Sequence, residues 1–304
     1  MINKMLAKFF SNVSDVAELE GARIIFYFIL LIQIANYPYY MSFTTLPQEF
    51  FNSDGLLQSY EIILFLRHHF SEVMMLLSVS LFFSMIGFMS QISKWLVFGL
   101  TLIIFNLPFA YRADFYLCTP NLFLCFIFAL SRAGSAYSVD ALIKKREVPS
   151  SDFEYYWPKR FSKIVFVTVF FTSAIIKLKN VGLDWVFSDN LKNLFLCSPF
   201  PRGDIVPEAI MNLKLNYKIG QFPNMVKVFA FITLATELLS PLALFSFTGS
   251  RLPVVLLMIM QILSIFLIFL NPFNSLAIYI CWVSWGPMLK RAEQIIRLKP
   301  RSLA

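Results

Sequence analysis

The chain has 304 residues, of which 58% are hydrophobic and only 14% are charged, and its mean hydropathy is +0.68. Because a soluble domain carries about 25% charged residues, this composition excludes an ordinary soluble protein and predicts an all-α integral membrane protein. The formal net charge of +8 does not indicate a nucleic-acid partner, because no recognition motif accompanies it and basic loops beside anionic lipid explain it.

Apolar segments recur along the chain, and most approach the length of about 20 residues that a helix needs to cross a bilayer. We therefore predict a polytopic transmembrane helical bundle of about eight spans with interfacial amphipathic helices. It would form one domain over residues 1–304, with no soluble domain appended. The predicted spans are Ala22–Tyr40, Val73–Gln91, Trp95–Ala110, Phe115–Leu130, Ile164–Ile176, Met225–Phe247, Leu252–Leu270 and Phe273–Leu289.

The segments around the first span are more polar. A short surface helix is predicted over Ser11–Gly21, and Arg23 follows at the start of the span, where a long side chain can snorkel to the headgroups. Thr44–Phe70 mixes charged and apolar residues, which is typical of an amphipathic helix lying in the interface. His68 and His69 are the only histidines, and neighbours on a helix point to different faces, so no metal site is predicted.

An even number of spans places both termini on one side of the membrane. That side would hold the basic cluster Lys144-Lys145-Arg146 and the basic tail, so the positive-inside rule predicts cytoplasmic termini. Cys118 and Cys197 fall near segment ends on the opposite side. A disulfide between them is compatible with that placement, but we expect none, because the spacing of the cysteines does not require it.

One charged residue ends the fifth apolar segment. Lys177 closes the run that begins at Ile164, and Asp184-Trp185 follow shortly after. A lysine there is costly unless it is paired or functional. If burial disfavours its charged form, Lys177 could act as a base near neutral pH. The alternative is a snorkelling lysine that suits the negative end of the helix dipole.

Other polar residues also fall at membrane depth. Glu237 lies halfway through the sixth span, where a carboxylate should face the bundle and pair with a cation, a donor or a substrate, or serve only to fix helix packing. Gln261 is expected to hydrogen-bond across helices, and Asp140 and Asp184 to cap short helices. No GxSxG, Walker, GxGxxG or HExxH motif occurs, which excludes the common hydrolases, ATPases and dinucleotide enzymes.

Several of these residues stand in an order that resembles the vitamin K-dependent gamma-carboxylase superfamily, which includes the bacterial HTTM (horizontally transferred transmembrane) proteins. The resemblance covers nearly the whole chain at low identity. The stretches that carry it are Glu18–Arg23, Ser138-Val-Asp-Ala-Leu142, Ser173-Ala-Ile-Ile-Lys-Leu178, Asp184-Trp185, Leu196-Cys-Ser-Pro-Phe200, Glu237-Leu238, Arg251 and Gln261.

The resemblance implies a membrane enzyme in which a reduced, vitamin K-like quinone reacts with oxygen. The strong base so formed removes a proton from a glutamate γ-carbon, and carbon dioxide adds there. By the same resemblance Lys177 would be the base that deprotonates the quinol, with Glu237 as its partner, in a bacterial inner membrane. Weaker matches imply further binding residues, namely Asp184, Trp185, Arg251 and Gln261.

The chain departs from that family at two histidines. The family has one histidine just before the turn that begins here at Ser138, but Arg132–Tyr137 contains none. It has the other in its late span, where this chain has Gln261, and glutamine cannot exchange a proton near neutral pH as histidine can. The lumenal portion that handles protein substrates is also missing, so protein carboxylation is not expected. Two hypotheses stay open: a quinol-linked membrane enzyme with Lys177 as base, and a non-catalytic membrane protein that binds a lipid or a partner protein.

Overall fold

The computed structural model describes residues 16–35, 37–51, 59–110, 119–144, 153–189, 192, 218–245, 251–268 and 277–291. Every regular element among these residues is a helix, which confirms the predicted all-α class. Cys118 and Cys197 lie outside the described residues, so the expectation about their pairing stays a prediction.

The chain divides into two compact units, and the boundary between them falls inside one long helix, α7 (Phe153–Asn180). The larger unit comprises Val13–Lys163 with Phe273–Ala304, and the smaller unit comprises Ile164–Pro272 with Met1–Asn12. The larger unit also holds α1 (Val16–Ile34), α2 (Tyr37–Thr44), α3 (Tyr60–Ile86), α4 (Ser90–Ala110), α5 (Thr119–Leu130), α6 (Val139–Ile143) and the 3-10 helices Gln48–Phe50 and Ala277–Trp282. The smaller unit also holds α8 (Asp184–Phe187), α9 (Pro223–Leu239), the 3-10 helix Ser240–Leu244 and α10 (Leu252–Ile268).

Four stretches of helix are long and apolar enough to cross a membrane: Tyr60–Ile86, Ser90–Leu107, Glu154–Asn180 and Pro223–Leu244. They support the prediction of a membrane protein, and their many exposed apolar side chains give the protein a surface that lipid would cover. Shorter apolar helices cover Pro120–Leu130 and Leu252–Leu263. The count of eight spans stays a prediction.

The first helix differs from its prediction. The segments expected as a surface helix and a span form one helix, α1, whose first turns are buried rather than exposed. Glu20 and Arg23 on α1 are each 0% exposed, so the predicted snorkelling of Arg23 is wrong. The physical reason is that these two charges are hydrogen-bonded to each other and to backbone groups inside the protein, which removes most of the cost of burying them.

Helix α3 joins the end of the predicted interfacial segment to the second predicted span. It starts at Tyr60, after Ser59 accepts a hydrogen bond from the Glu61 amide, and ends at Ile86, with a kink at His69, whose backbone is not helical (φ −117°, ψ 22°). The kink lies next to Phe70, the predicted end of the interfacial segment; the placement of Tyr60–His68 in the interface stays a prediction. Before the kink, the Arg67 guanidinium donates to the carbonyls of Thr44 and Leu46 at 2.6 and 3.2 Å.

Two predicted spans that contain a proline differ in their described parts. The fourth is a helix over Thr119–Leu130, which includes Pro120. Phe273–Leu289 does not form one helix in its described part: Ala277–Trp282 is 3-10 helix, residues 283–285 are not helical, and a new helix begins at 286. Pro287 cannot donate to a preceding turn, so the helix restarts there, while the Trp285 amide donates to Glu18 at 3.0 Å.

Candidate functional site

The chain reverses direction at the end of α7, close to Lys177. The amides of Val181 and Gly182 donate to the carbonyls of Lys177 and Leu178, each at 3.0 Å. Gly182 has a φ of +67°, a left-handed conformation that glycine adopts without strain. The chain then turns into α8, which brings Trp185 back beside Lys177.

Helices α7 and α9 each contribute a triplet of residues with the same spacing to the site. Ala174, Lys177 and Leu178 share one face of α7, and Leu234, Glu237 and Leu238 have the same spacing on α9. Buried Ala174, Leu234 and Val186 form an apolar cluster, and Leu178, Leu238 and Trp185 pack against it. The one charged residue of each triplet, Lys177 or Glu237, therefore lies where the two helices pack through apolar side chains.

Within that contact Lys177 and Glu237 form an ion pair. Both carboxylate oxygens of Glu237 accept hydrogen bonds from the Lys177 ammonium, each at 2.6 Å. The side chains are 19% and 8% exposed, so the pair is shielded from water without being sealed. The ammonium also lies 5.1 Å from the centroid of the Trp185 ring, within range of a cation–π interaction.

This arrangement decides what the pair can do with a proton. A buried carboxylate beside an ammonium lowers the cost of burying either charge. The carboxylate can accept a proton while the ammonium stays charged and stabilises an oxyanion formed beside it.

Trp185 adds a donor that none of the described residues accepts from. Its indole Nε1 is buried and has no hydrogen-bond partner among the described residues. Buried donors are nearly always paired, so an unpaired one beside an ion pair is a position where a ligand oxygen would be stabilised. Lys177, Glu237 and Trp185 together therefore present a carboxylate, an ammonium, an N–H donor and an aromatic face.

The other residues predicted for the site are not brought to this pair in the described structure. Asp184 is exposed and is the first residue of α8, and Arg251 is exposed just before α10. Gln261 lies on α10, and its carbonyl oxygen is buried without a hydrogen-bond partner in the described residues. The hydrogen bond across helices that was expected of Gln261 is therefore not made through that atom.

Sequence reasoning missed a second, more deeply buried polar cluster in the larger unit. Arg23 donates to the Glu20 carboxylate at 2.7 Å and to the carbonyls of Ser84 and Met85 at 2.5 and 2.7 Å. A further bond reaches the Tyr137 carbonyl at 3.1 Å. The only signal in the sequence is that Glu20 and Arg23 are three residues apart on a helix; their backbone partners carry no pattern.

Glu20 completes that cluster from its other side. Its carboxylate accepts hydrogen bonds from the amide of Gly134 at 2.9 and 3.0 Å and from the amide of Ala136 at 3.2 Å. Both side chains thus direct these hydrogen bonds to the protein itself. The cluster ties α1 to the end of α3 and to the loop before α6, which fits a structural role.

Asp140 caps a different helix from the one expected. Ser138 caps the short helix α6, whereas the Asp140 carboxylate accepts hydrogen bonds from the amides of Met89 and Ser90, at 2.9 and 2.8 Å, where α4 begins. Desolvation raises the pKa of this carboxyl, but the two amide hydrogen bonds, the Ser90 hydroxyl and the nearby charge of Lys144 together lower it by more. The pKa of Asp140 therefore lies below the ordinary value of 3.8.

We expect Asp140→Asn to lower stability at neutral pH and to have little effect in acid. A depressed pKa means that the charged carboxylate stabilises the fold above its ordinary pKa of 3.8 and that this contribution is lost as the pH falls through the lower, folded value. Melting temperatures of both proteins, measured from about pH 7 to about pH 3, should converge at the acid end. Asp189→Asn, at a more exposed carboxylate, serves as the control, and a gap that stays constant with pH contradicts the role of charge.

No family model, curated protein or solved structure matches the chain. Among the described residues there is also no group of three or more His, Cys, Asp or Glu side chains that could hold a metal ion. Any functional assignment therefore depends on the geometry of the Lys177 site and on the resemblance in sequence.

Proposed function

We propose that this chain is a membrane protein that binds a lipophilic quinol beside Trp185 and takes a hydroxyl proton from it with the pair Lys177–Glu237. The observation that carries the proposal is the ion pair at 2.6 Å, held between two membrane-length helices and next to a buried, unpaired indole N–H. Charged groups at membrane depth are costly and are retained mainly where they serve function or pairing.

The side chains fit the parts of such a ligand. The Trp185 ring offers an apolar face to an aromatic ring, and its Nε1–H offers a hydrogen bond to an oxygen. The Glu237 carboxylate accepts the hydroxyl proton, and the Lys177 ammonium remains to stabilise the oxygen that loses it. Charge balances, because the pair changes from neutral to +1 as the ligand changes from neutral to −1. When bound, a reduced quinone supplies the reducing electrons for reaction with oxygen.

A lipophilic ligand could reach this site from the bilayer. Phe171, Ile175 and Ile176 on α7 are exposed, and so are Val228 and Phe231 on α9. These side chains flank the two triplets on the same helices and make an apolar surface that lipid would cover. A quinol dissolved in the membrane would therefore not need to cross water.

The resemblance in sequence supports the wider proposal. Matches at Ser173–Leu178, Asp184-Trp185 and Glu237-Leu238 suggest membership of the HTTM and gamma-carboxylase-like superfamily. We therefore propose about eight spans, cytoplasmic termini in a bacterial inner membrane, and a reduced, vitamin K-like quinone as cofactor, with carboxylation as the chemistry if the missing histidines are dispensable.

The second candidate is a non-catalytic membrane protein that binds a lipid or a partner protein. One observation favours it: both oxygens of Glu237 are engaged by Lys177, which is the arrangement expected if the pair only fixes the packing of α7 against α9. The two candidates differ in whether Lys177 is needed for a reaction or only for the fold.

Oxygen uptake by the purified protein with reduced naphthoquinones and with ubiquinol tests the proposal. We expect uptake that falls by about 100-fold or more in Lys177→Met, the range for removing a group that stabilises a developing oxyanion. Lys179→Met is the matched control, because it removes the same charge two residues along α7 from an exposed position. Quenching of tryptophan fluorescence by the quinone, lost in Trp185→Phe, would report binding alone.

The outcomes separate the candidates. Uptake that depends on Lys177 but not on Lys179 supports the enzyme. Quenching without uptake, in a folded preparation, favours a quinone-binding protein without chemistry. Neither uptake nor quenching contradicts the quinol proposal and leaves the lipid-binding or partner-binding protein.

A further inference from the structure

A polar cavity lies in the larger unit, and none of the residues of the Lys177 site lines it. It has a volume of about 820 Å³ and is bounded by the start of α4, by the loop that joins α5 to α6 and by the start of α7. The polar residues that line it include Ser90, Lys94, Ser131, Ser135, Lys144 and Tyr155. Nothing in the proposed function uses this cavity.

Among the residues that line the cavity, Lys94 is unusual because it is both charged and buried. The side chain is 1% exposed, and its ammonium donates to the carbonyls of Ser131 and Ala133, both at 2.7 Å. An ammonium carries three N–H donors, so these two bonds leave one N–H without an acceptor among the described residues, and Lys94 lines the cavity. No carboxylate among the described residues forms an ion pair with Lys94.

The remaining charges around the cavity do not balance Lys94. Arg132 lines the cavity and is paired with Glu154. Asp140 is the single acidic residue in the described lining, and the exposed Lys144 lies close enough to act on its charge. Once these two pairs are set against each other, the buried charge of Lys94 remains as an excess of positive charge, which suits an anion.

The rim of the cavity has a different character. Met89, Ile92 and Leu130 line it and are about half exposed, at 49, 55 and 50%. Met89 lies in the turn just before α4, Ile92 in the first turn of α4 and Leu130 at the end of α5; of these helices, Ser90–Leu107 is long enough to cross a membrane. Exposed apolar side chains at that level would contact acyl chains. A ligand that fits both the cationic interior and the apolar rim is an anionic amphiphile.

We propose that this cavity binds the phosphate headgroup of an anionic phospholipid, with Lys94 and Lys144 on the phosphate and with Met89, Ile92 and Leu130 against the acyl chains. A bound phosphate would take the third donor of Lys94 and neutralise its buried charge. Free phosphate shares the headgroup chemistry but makes no use of the rim, so the two sources can be told apart.

The test is binding of phosphatidylglycerol to the full chain in detergent, measured by the rise in melting temperature and by native mass spectrometry, with phosphatidylcholine and inorganic phosphate as comparison ligands. We expect Lys94→Gln and Lys144→Gln each to weaken phosphatidylglycerol binding by about tenfold, the effect of losing a charge-assisted hydrogen bond. Ile92→Gln should weaken lipid binding and leave phosphate binding unchanged. Lys179→Gln removes a charge outside the cavity lining and should change nothing.

Each result decides the proposal. If Lys94→Gln fails to fold because Ser131 and Ala133 lose their donor, Lys144→Gln and Ile92→Gln carry the test, since both positions are exposed. Phosphatidylglycerol binding that survives these two substitutions overturns the proposal. So does a preference for phosphatidylcholine, or inorganic phosphate binding as tightly as the lipid.

Discussion

Replacing Arg23 with methionine is expected to destabilise the protein by about 3–5 kcal/mol, the cost of breaking a buried charge pair from one side. The substitution would leave the Glu20 carboxylate without its cation in a position that is 0% exposed. It would also remove the donors to the carbonyls of Ser84, Met85 and Tyr137. The free energy of unfolding in detergent, measured by denaturant titration, checks this value.

Two controls make the Arg23 result specific. Arg23→Lys keeps the charge but has no planar fork to reach several carbonyls, so it should restore only part of the lost stability. Arg251→Met removes the same kind of side chain from an exposed position and should cost less than about 0.5 kcal/mol. A loss of under about 1 kcal/mol in Arg23→Met would show that the Glu20–Arg23 cluster does not hold the larger unit together.

Gly87 shows why that cluster sits where it does. This residue ends α3 with a φ of +70°, and a Cβ added to it would meet the Cβ of Ser138 at 2.4 Å and approach Arg23 Nη1 to 3.2 Å. Only a glycine permits both the left-handed turn and the close approach of the loop before α6. The carbonyls of Ser84 and Met85, which end α3, are thereby brought to Arg23.

The helical class could be predicted from the sequence because it depends on composition, and composition is a property of the whole chain. The burial of Arg23 could not, because an arginine at the start of an apolar run looks like a surface residue until its backbone acceptors are known. Every residue has a carbonyl group, so a sequence does not mark the ones that accept from an arginine. The prediction based on charge therefore failed at Arg23.

The Lys177 site was more accessible to prediction, for a related reason. A charged residue in an apolar run is conspicuous, so Lys177 and Glu237 stood out singly. Their contact joins residues 60 positions apart, and it could only be guessed from the rule that buried charges pair. The proximity of Trp185 required the left-handed Gly182 and the short helix α8. The sequence did contain the repeated spacing of Ala174, Lys177 and Leu178 in Leu234, Glu237 and Leu238, which would have indicated facing helices.

The pair Lys177–Glu237 offers a way to separate stability from chemistry. We expect Lys177→Met and Glu237→Gln, taken singly, each to cost about 3 kcal/mol, because each leaves a shielded charge without its partner. The double variant should return to within about 1 kcal/mol of the unaltered protein, since two neutral side chains can pack together with little penalty. Denaturant titration of the four proteins gives the coupling energy directly.

The double variant then decides between the two functional candidates. If the pair only fixes the packing of α7 against α9, a protein with restored stability should keep whatever ligand binding the site supports. If the pair accepts a proton, quinol-dependent oxygen uptake should stay at least about 100-fold below that of the unaltered protein despite the restored fold, because neither methionine nor a glutamine amide accepts a proton near neutral pH. Lys179→Met, which keeps the pair, should retain both stability and uptake. Full uptake in the stable double variant would assign the ion pair to the fold alone.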